Sequence, residues 1–479
     1  MSLSDSPAPV RLTVAADPGT EIFIVDHAFK LVARAVGHLS ADVPPGLYKI
    51  RYRVGTLIHE EHVTVAPDAG TVSVRGPALA FASVAPLAGT STMHEYHRDH
   101  AAALSRQVER SLGEGGQLFV FARTWRAVTE QAPDARTVVP PGHHPATGLA
   151  LHDLEGHRLV DYANETVHDL QAPDPWAGCN VNVRPGPYRL RVDTPRWGPL
   201  EQIVVVPSGW QVQIFLFQFE CGDDAPVFRP ALADASILLS RPGVGFDPSS
   251  EALRLAELGR QALRDRRQAA PRVLLNQMLS SKSENPMLGI YAGHALAAAG
   301  DADRNLLGIV VGNLRAMLGA HPDVESLALA LSDEPAPEPP PSFASPPMLR
   351  NSWSILVDRS QHVPALVPQG SLASRMALSV WGDGPWLIWQ STGAEPSHAL
   401  PEDFVDALVA RLSSRRRAGT AGLVGGVLGA AMSAVLGDVR GALRDVAVSL
   451  GVPPTTLQDV IGRLGGELGR RLEDRRRGG

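Results

Sequence analysis

The stretch from Pro45 to Val74 recurs, without a gap, from Pro185 to Ile214. Pro45, Gly46, Tyr48, Arg51, Glu61, Val65, Pro67 and Val72 reappear as Pro185, Gly186, Tyr188, Arg191, Glu201, Val205, Pro207 and Val212. Self-similarity of this kind means one supersecondary unit used twice. It constrains the first half of the chain strongly, because whatever folds one copy must also fold the other.

Both copies read as β structure. Apolar and polar residues alternate from Tyr48 to Val54, as in a strand with one buried face. Pro44-Pro45-Gly46 supplies a turn before it. Val10–Val14 and Ile22–Val25 are β-type runs separated by Asp17-Pro18-Gly19, and Glu61–Val65 and Thr71–Val74 add two more. In the second copy, Gln117–Phe121 stands for the first strand. Gly148–Leu151 with Asp153 echoes Ile22–Asp26, and Arg158–Val160 echoes Lys30–Val32. Short strands at this spacing predict two β-sandwich modules, over 1–80 and 116–222. Residues 81–115 connect them, with a helix expected over Met93–Leu112.

Pro44-Pro-Gly-Leu-Tyr-Lys-Ile-Arg51 and Arg184-Pro-Gly-Pro-Tyr-Arg-Leu-Arg191, with the strand order around them, resemble the PEGA and carboxypeptidase-regulatory-like β-sandwich families. The resemblance implies accessory binding or spacer modules without catalytic residues of their own.

The remainder turns helical. Residues 249–331 read as paired helices, a TPR- or HEAT-like stack or a small bundle. Residues 332–347 form a proline-rich linker, extended rather than packed. Residues 348–398 form a small unit that holds four of the eight tryptophans. Its Trp381, Trp386 and Trp389 favour a core, with an interaction surface as the alternative. Residues 400–479 make a helical tail. The whole is α+β and multidomain.

Net charge is 44 − 50 = −6, which gives no reason to expect a nucleic-acid coat or general membrane binding. Only Lys30, Lys49 and Lys282 are lysines; arginine preference with abundant Ala, Gly and Pro reads as GC-rich bacterial coding. Cys179 and Cys221 are too few for a disulfide framework and read as separate buried thiols. The opening MSLSDSPAPV lacks the basic start and apolar run of a signal peptide. The cytoplasm is therefore the expected compartment, with membrane association through the C-terminal region as the alternative.

Three histidines, His94, His97 and His100, recur every third residue and are the candidate metal ligands. The zincin spacing is not met, because only Tyr96 lies between Glu95 and His97. Three ligands spaced three residues apart on one helix also spread over ~9 Å of rise. The sequence contains no nucleophile elbow or P-loop, and no dinucleotide fingerprint in the right setting, so a non-enzymatic role without cofactor is favoured.

Ala418–Gly437 contains no charged residue in 20 positions. Small residues recur every fourth position there, giving the candidate packing residues Gly422, Gly425, Gly426, Gly429, Ala430 and Ala434. The pattern fits a helix packed closely in a soluble bundle or in a membrane. Residues 442–461 have the outline of a helix-turn-helix, with Gln458 and Asp459 on its second helix, although an aspartate faces phosphates poorly. The function expected is that of a scaffold or adaptor binding protein partners through the β modules and the helical block. A membrane-active effector using 418–437 and a DNA-binding regulator using 442–461 are the alternatives; nucleic acid is the less favoured partner.

Overall fold

The computed structural model describes residues 8–17, 19–55, 57–124, 142–172, 174–221, 227–264, 272–298, 304–331, 341–391, 444, 447–448 and 450–459. The zipper residues Gly422, Gly425, Gly426, Gly429, Ala430 and Ala434 lie outside these. The fold is mixed α+β, with sheets in the N-terminal half and helices dominating the C-terminal half.

The first seven strands are β1 (Val10–Ala15), β2 (Glu21–Val25), β3 (Leu31–Val36), β4 (His38–Val43), β5 (Gly46–Val54), β6 (Leu57–Val65) and β7 (Thr71–Arg75). They form two sheets, ordered β4-β1-β7 and β3-β2-β5-β6. Leu12, Val14 and Val43 from the one sheet meet Ile22, Ile24, Ile50 and Tyr52 from the other in a shared core. Alternation drives this packing: Tyr48, Ile50 and Tyr52 point inward between outward Lys49, Arg51 and Arg53.

After α1 (Glu95–Leu104) and β8 (Arg110–Ser111) come β9 (Gly116–Arg123), β10 (Leu149–His152), β11 (Arg158–Asp161), β12 (Val167–Asp169), β13 (Trp176–Val183), β14 (Gly186–Thr194), β15 (Gly198–Val206) and β16 (Gln211–Glu220). Their pairing repeats the first set. β1 pairs antiparallel with β4 and parallel with β7, and β9 pairs the same way with β13 and β16. β2 lies between β3 and β5, and β10 lies between β11 and β14. Even the irregularities correspond: the register shifts between Ile24 and Val25 in one set, and between Leu151 and His152 in the other. The repeated tyrosines have one job, since Tyr48 Oη donates to the carbonyl of Pro44 and Tyr188 Oη to that of Arg184, each at 2.7 Å.

The ungapped alignment slips in one strand. Gly46 faces Val65, whereas Gly186 faces Val206. Two residues separate Val54 from Leu57 and three separate Thr194 from Gly198, so β15 is displaced by one position. The next turn restores the offset. Structurally, Glu60 and not Glu61 corresponds to Glu201: each faces the repeated arginine, Arg51 or Arg191.

The expected helix over Met93–Leu112 stops at Leu104, because the following residues turn to pair with β13: Glu109 N donates to Asn180 O at 3.0 Å, and Arg110 stands beside Val181. Further on, β17 (Phe228–Pro230) and β18 (Ser236–Ser240) both pair with β16. The helices are α2 (Glu251–Arg264), α3 (Arg272–Ser280), α4 (Met287–Ala298), α5 (Arg304–Leu318), α6 (Pro322–Leu331), α7 (Arg350–Ser360) and α8 (Leu372–Met376). Buried on nearly every side, α4 packs against α2, α3, α5 and α6. Gly289 and Gly293 permit the approach: a β-carbon there would stand 2.8 Å from Leu314 Cδ2 and 2.6 Å from Leu327 Cδ1. Asp323 of α6 accepts the amides of Met348 and Leu349 at the start of α7, satisfying donors that a helix N-terminus leaves open.

Two short strands, β19 (Val380–Trp381) and β20 (Ile388–Gln390), complete the second sheet, ordered β11-β10-β14-β15-β20-β19. The Trp-rich segment thus joins the second strand set, and one continuous core runs from those strands through the helices to Trp386 and Trp389. The linker is packed where it is described: Phe343 is buried and donates its amide to Leu366 O at 2.8 Å. Residues 332–340 lie outside the described residues.

Candidate interaction site

The two strand sets differ most where they meet their surroundings. In the second set β15 is buried along most of its length, flanked by β14 on one side and β20 on the other. Leu200, Glu201 and Gln202 face Gln390, Trp389 and Ile388. In the first set β6 is the edge of its sheet among the described residues, and it is exposed at Leu57, Ile58, His59 and Glu60.

The buried environment changes the chemistry of the same ion pair. Arg189 donates to both oxygens of Glu201, at 2.8 and 2.6 Å, with Glu201 1% exposed. In the first set Lys49 and Arg51 reach Glu60 at 2.5 and 2.6 Å. Bonds from Lys49 and then Arg51 hold the exposed Glu60 carboxyl below its usual range.

The β2–β3 hairpin shows the second difference. Asp26 O accepts Phe29 N, Asp26 N donates to Lys30 O, and Asp26 Oδ1 accepts Lys30 N. In the second set Asp153 makes the same three bonds with Gly156 and His157. Gly156 has φ of 97°, natural for glycine, whereas Phe29 has φ of 59° and is 83% exposed. Among the described residues Phe29 is the one non-glycine with positive φ. A bulky residue in that region costs about 1–2 kcal/mol. Exposed Leu31 and Val32 follow it.

The histidines of the connecting segment have separate partners. His97 is buried, its Nε2 lies 2.7 Å from Asp174 O, and its Nδ1 faces Arg123 at 3.4 Å. Burial, with the Arg123 charge adding to it, pushes the His97 imidazole down to about 3. His100 stacks on Trp176 at 4.4 Å, and His94 Nε2 stands 3.9 Å from Asp174. Among the described residues no group of three or more His, Cys, Asp or Glu side chains is arranged to hold a metal ion. Of the three histidines, His97 turns into the core and His100 is used as a flat ring.

Arg123 ties the connecting segment to β9. Its guanidinium donates to the carbonyls of Val84, Thr92 and Ser83, and burial pulls it down to about 9. Ser352 Oγ lies 2.8 Å from His294 Nε2, but both are buried, and burial pushes His294 to about 4. The pair links α7 to α4. Cys179 and Cys221 are both free and buried.

Trp386 and Trp389 are core residues; Trp386 Nε1 donates to Ala235 O at 2.6 Å. Only Trp381 of the three reaches the surface, half-buried beside Trp197 at 5.4 Å. Trp197 in turn stacks on Phe219, an aromatic group drawn from three distant segments and invisible to local sequence patterns.

The segment with the helix-turn-helix outline folds back on α7 and α8. Ala447, Val452, Thr455, Thr456 and Leu457 are buried. Asp459 accepts Gly370 N at 2.8 and 3.0 Å and Ser374 Oγ at 2.6 Å. Gln361 Nε2 donates to Val452 O at 2.9 Å. The start of the supposed recognition helix is thus an internal contact surface, so base reading from it would require undocking. No helix among the described residues is long and apolar enough to cross a membrane.

No protein-family model matches this chain. No curated protein matches it either. Among solved structures, the Bacillus anthracis TIE protein is similar over 42% of this chain and 30% of its own length, at 12% identity and a TM-score of 0.15.

Proposed function

We propose that the chain is a non-enzymatic bacterial adaptor that binds a protein partner through its first strand set. In this reading the two strand sets are copies of one PEGA- or carboxypeptidase-regulatory-like sandwich module put to different uses. The second copy is built into the helices and the Trp-rich strands and serves as the frame. The first copy keeps a sheet edge and hairpin tip that no described strand covers.

The observation that carries the reading is Phe29 against Gly156. The two hairpins share their hydrogen bonds, yet the first accepts a strained backbone and an exposed ring where the second has glycine. Strain at an exposed, otherwise permissive position points to use. A partner pocket that takes the ring would offset the cost, as aromatic anchors do at interfaces.

A photo-crosslinking amino acid placed at position 29 of the full chain, in the producing cells, tests this. A discrete protein adduct is expected from position 29 and none from position 309, where Ile309 is also exposed on α5. Equal labelling from both positions, or none from 29, removes the reading.

A further inference from the structure

The edge of β6, which no described strand covers, is a second, independent asymmetry. Ser391 N donates to Pro199 O at 2.7 Å, so the peptide groups of Pro199 face β20 and away from β14. Backbone direction alternates along a strand, so Glu201 presents its N–H and C=O to β20 as well. Val206 and Val65 are equivalent through their glycine partners, so Pro199 corresponds to Ile58 and Glu201 to Glu60. Ile58 and Glu60 therefore aim their backbone groups outward from β6, where no described strand receives them.

We propose that β6 is a strand-addition site for an extended peptide of the partner protein, running antiparallel to β6 and carrying a large aromatic residue opposite Glu60. The inference rests on the partner-binding reading and specifies how the partner is held. The second strand set supplies the template. There Trp389 faces Glu201 in the added strand β20, and the backbone ladder continues through Pro199. In the first set an aromatic ring opposite Glu60 would lie on the face that already carries Lys49 and Arg51, whose cations suit an aromatic face. Main-chain hydrogen bonds would give affinity, and the ring would give register. Exposed Ile58 at 57% and Leu57 at 40% supply apolar surface beside the same edge.

The probe is a labelled synthetic peptide with the sequence of residues 384–391, Gly-Pro-Trp-Leu-Ile-Trp-Gln-Ser, followed by three lysines for solubility. Fluorescence anisotropy with the full chain should give saturable binding. Glu60→Pro removes the outward N–H at the centre of the site and should weaken binding about tenfold or more. Edge strands tolerate proline, and Pro199 already occupies the corresponding strand two positions earlier. Glu60→Gln keeps the N–H and should bind within about threefold of the parent, since an exposed ion pair contributes little.

Should the proline variant misfold, the same peptide N-methylated at the residues that face β6 reads the backbone requirement on the unaltered protein. It should not bind. Strand addition is overturned by absence of binding, by equal binding of the methylated peptide, or by self-association of the chain through β6 in sedimentation. An adduct from position 29 that persists in any of those cases leaves the partner reading standing and removes only the strand mechanism.

Discussion

Arg189 grips Glu201 through two N–H···O bonds inside a sheet, while Arg51 reaches the corresponding Glu60 at a sheet edge. The same two residue types thus form a buried pair and an exposed one. Removing a partner from the buried pair leaves a charge without compensation, so Arg189→Ala should destabilise the protein by about 3 kcal/mol. Arg51→Ala should produce little or no change. Thermal or urea unfolding of both variants decides it; equal losses would mean that the two ion pairs are equally buried.

Phe29→Gly should stabilise the fold. The ring is 83% exposed and forfeits almost no packing, while glycine relieves the positive φ. A gain of about 0.5–1 kcal/mol in urea unfolding is expected. The reverse change, Gly156→Phe, should destabilise, because φ there is 97° and a β-carbon would stand 3.1 Å from Arg189 Nη1. A loss of stability in Phe29→Gly would show that the ring packs in the native state.

Asp459 fastens residues 450–459 to Gly370 in the loop before α8 and to Ser374 within it. Asp459→Ala leaves Gly370 N without its acceptor and Ser374 Oγ with only the longer bond to Thr456 Oγ1, and should lower the local opening free energy by about 1–2 kcal/mol. Limited proteolysis should then cut within 447–459 faster than in the parent, with α2–α6 unaffected. Unchanged cleavage would assign the docking to the remaining contacts, the buried Val452 and Leu457 and the Gln361 and Thr456 hydrogen bonds.

Acid should weaken the fold through its buried imidazoles. His97 is pushed to about 3 and His294 to about 4, both mainly by burial, against an ordinary value of 6.5. A depressed base takes up its proton more readily when unfolded, so its contribution is complete above pH ~6.5 and is lost as pH falls toward the folded values. Each group adds a slope of up to about 1.4 kcal/mol per pH unit below 6.5. Melting temperature should fall between pH 7 and 5, and His97→Gln should flatten that fall. An unchanged slope in His97→Gln would place His97 in contact with water.

Much of the first half could be read in the chain. Alternation from Tyr48 to Val54, and its return from Tyr188 to Thr194, marked strands in both copies because a half-buried strand leaves a period of two in the sequence. The one-residue slip at β15 left no such mark. The extra residue before Gly198 is given back before Gln211, so an ungapped alignment passes over it and matches Glu61 with Glu201. Strand β20 joins β15 across nearly two hundred residues, a pairing with no local signature. The core role of Trp386 and Trp389 agrees with the reading of buried indoles, but the strand that Trp389 pairs with, and the docking of Asp459 on Gly370, were hidden by distance. Phe29 was equally silent, since a phenylalanine between Ala28 and Lys30 gives no hint of a left-handed backbone until the matching Gly156 is set beside it.

Hydrogen exchange on the unmodified full chain tests most directly whether one copy is covered and the other open. The amide of Glu60 should exchange at least about 100-fold faster than that of Glu201, because no described strand receives the one while the other faces β20. Comparable protection at both, in the absence of any partner, would contradict the open edge on which partner binding by β6 depends.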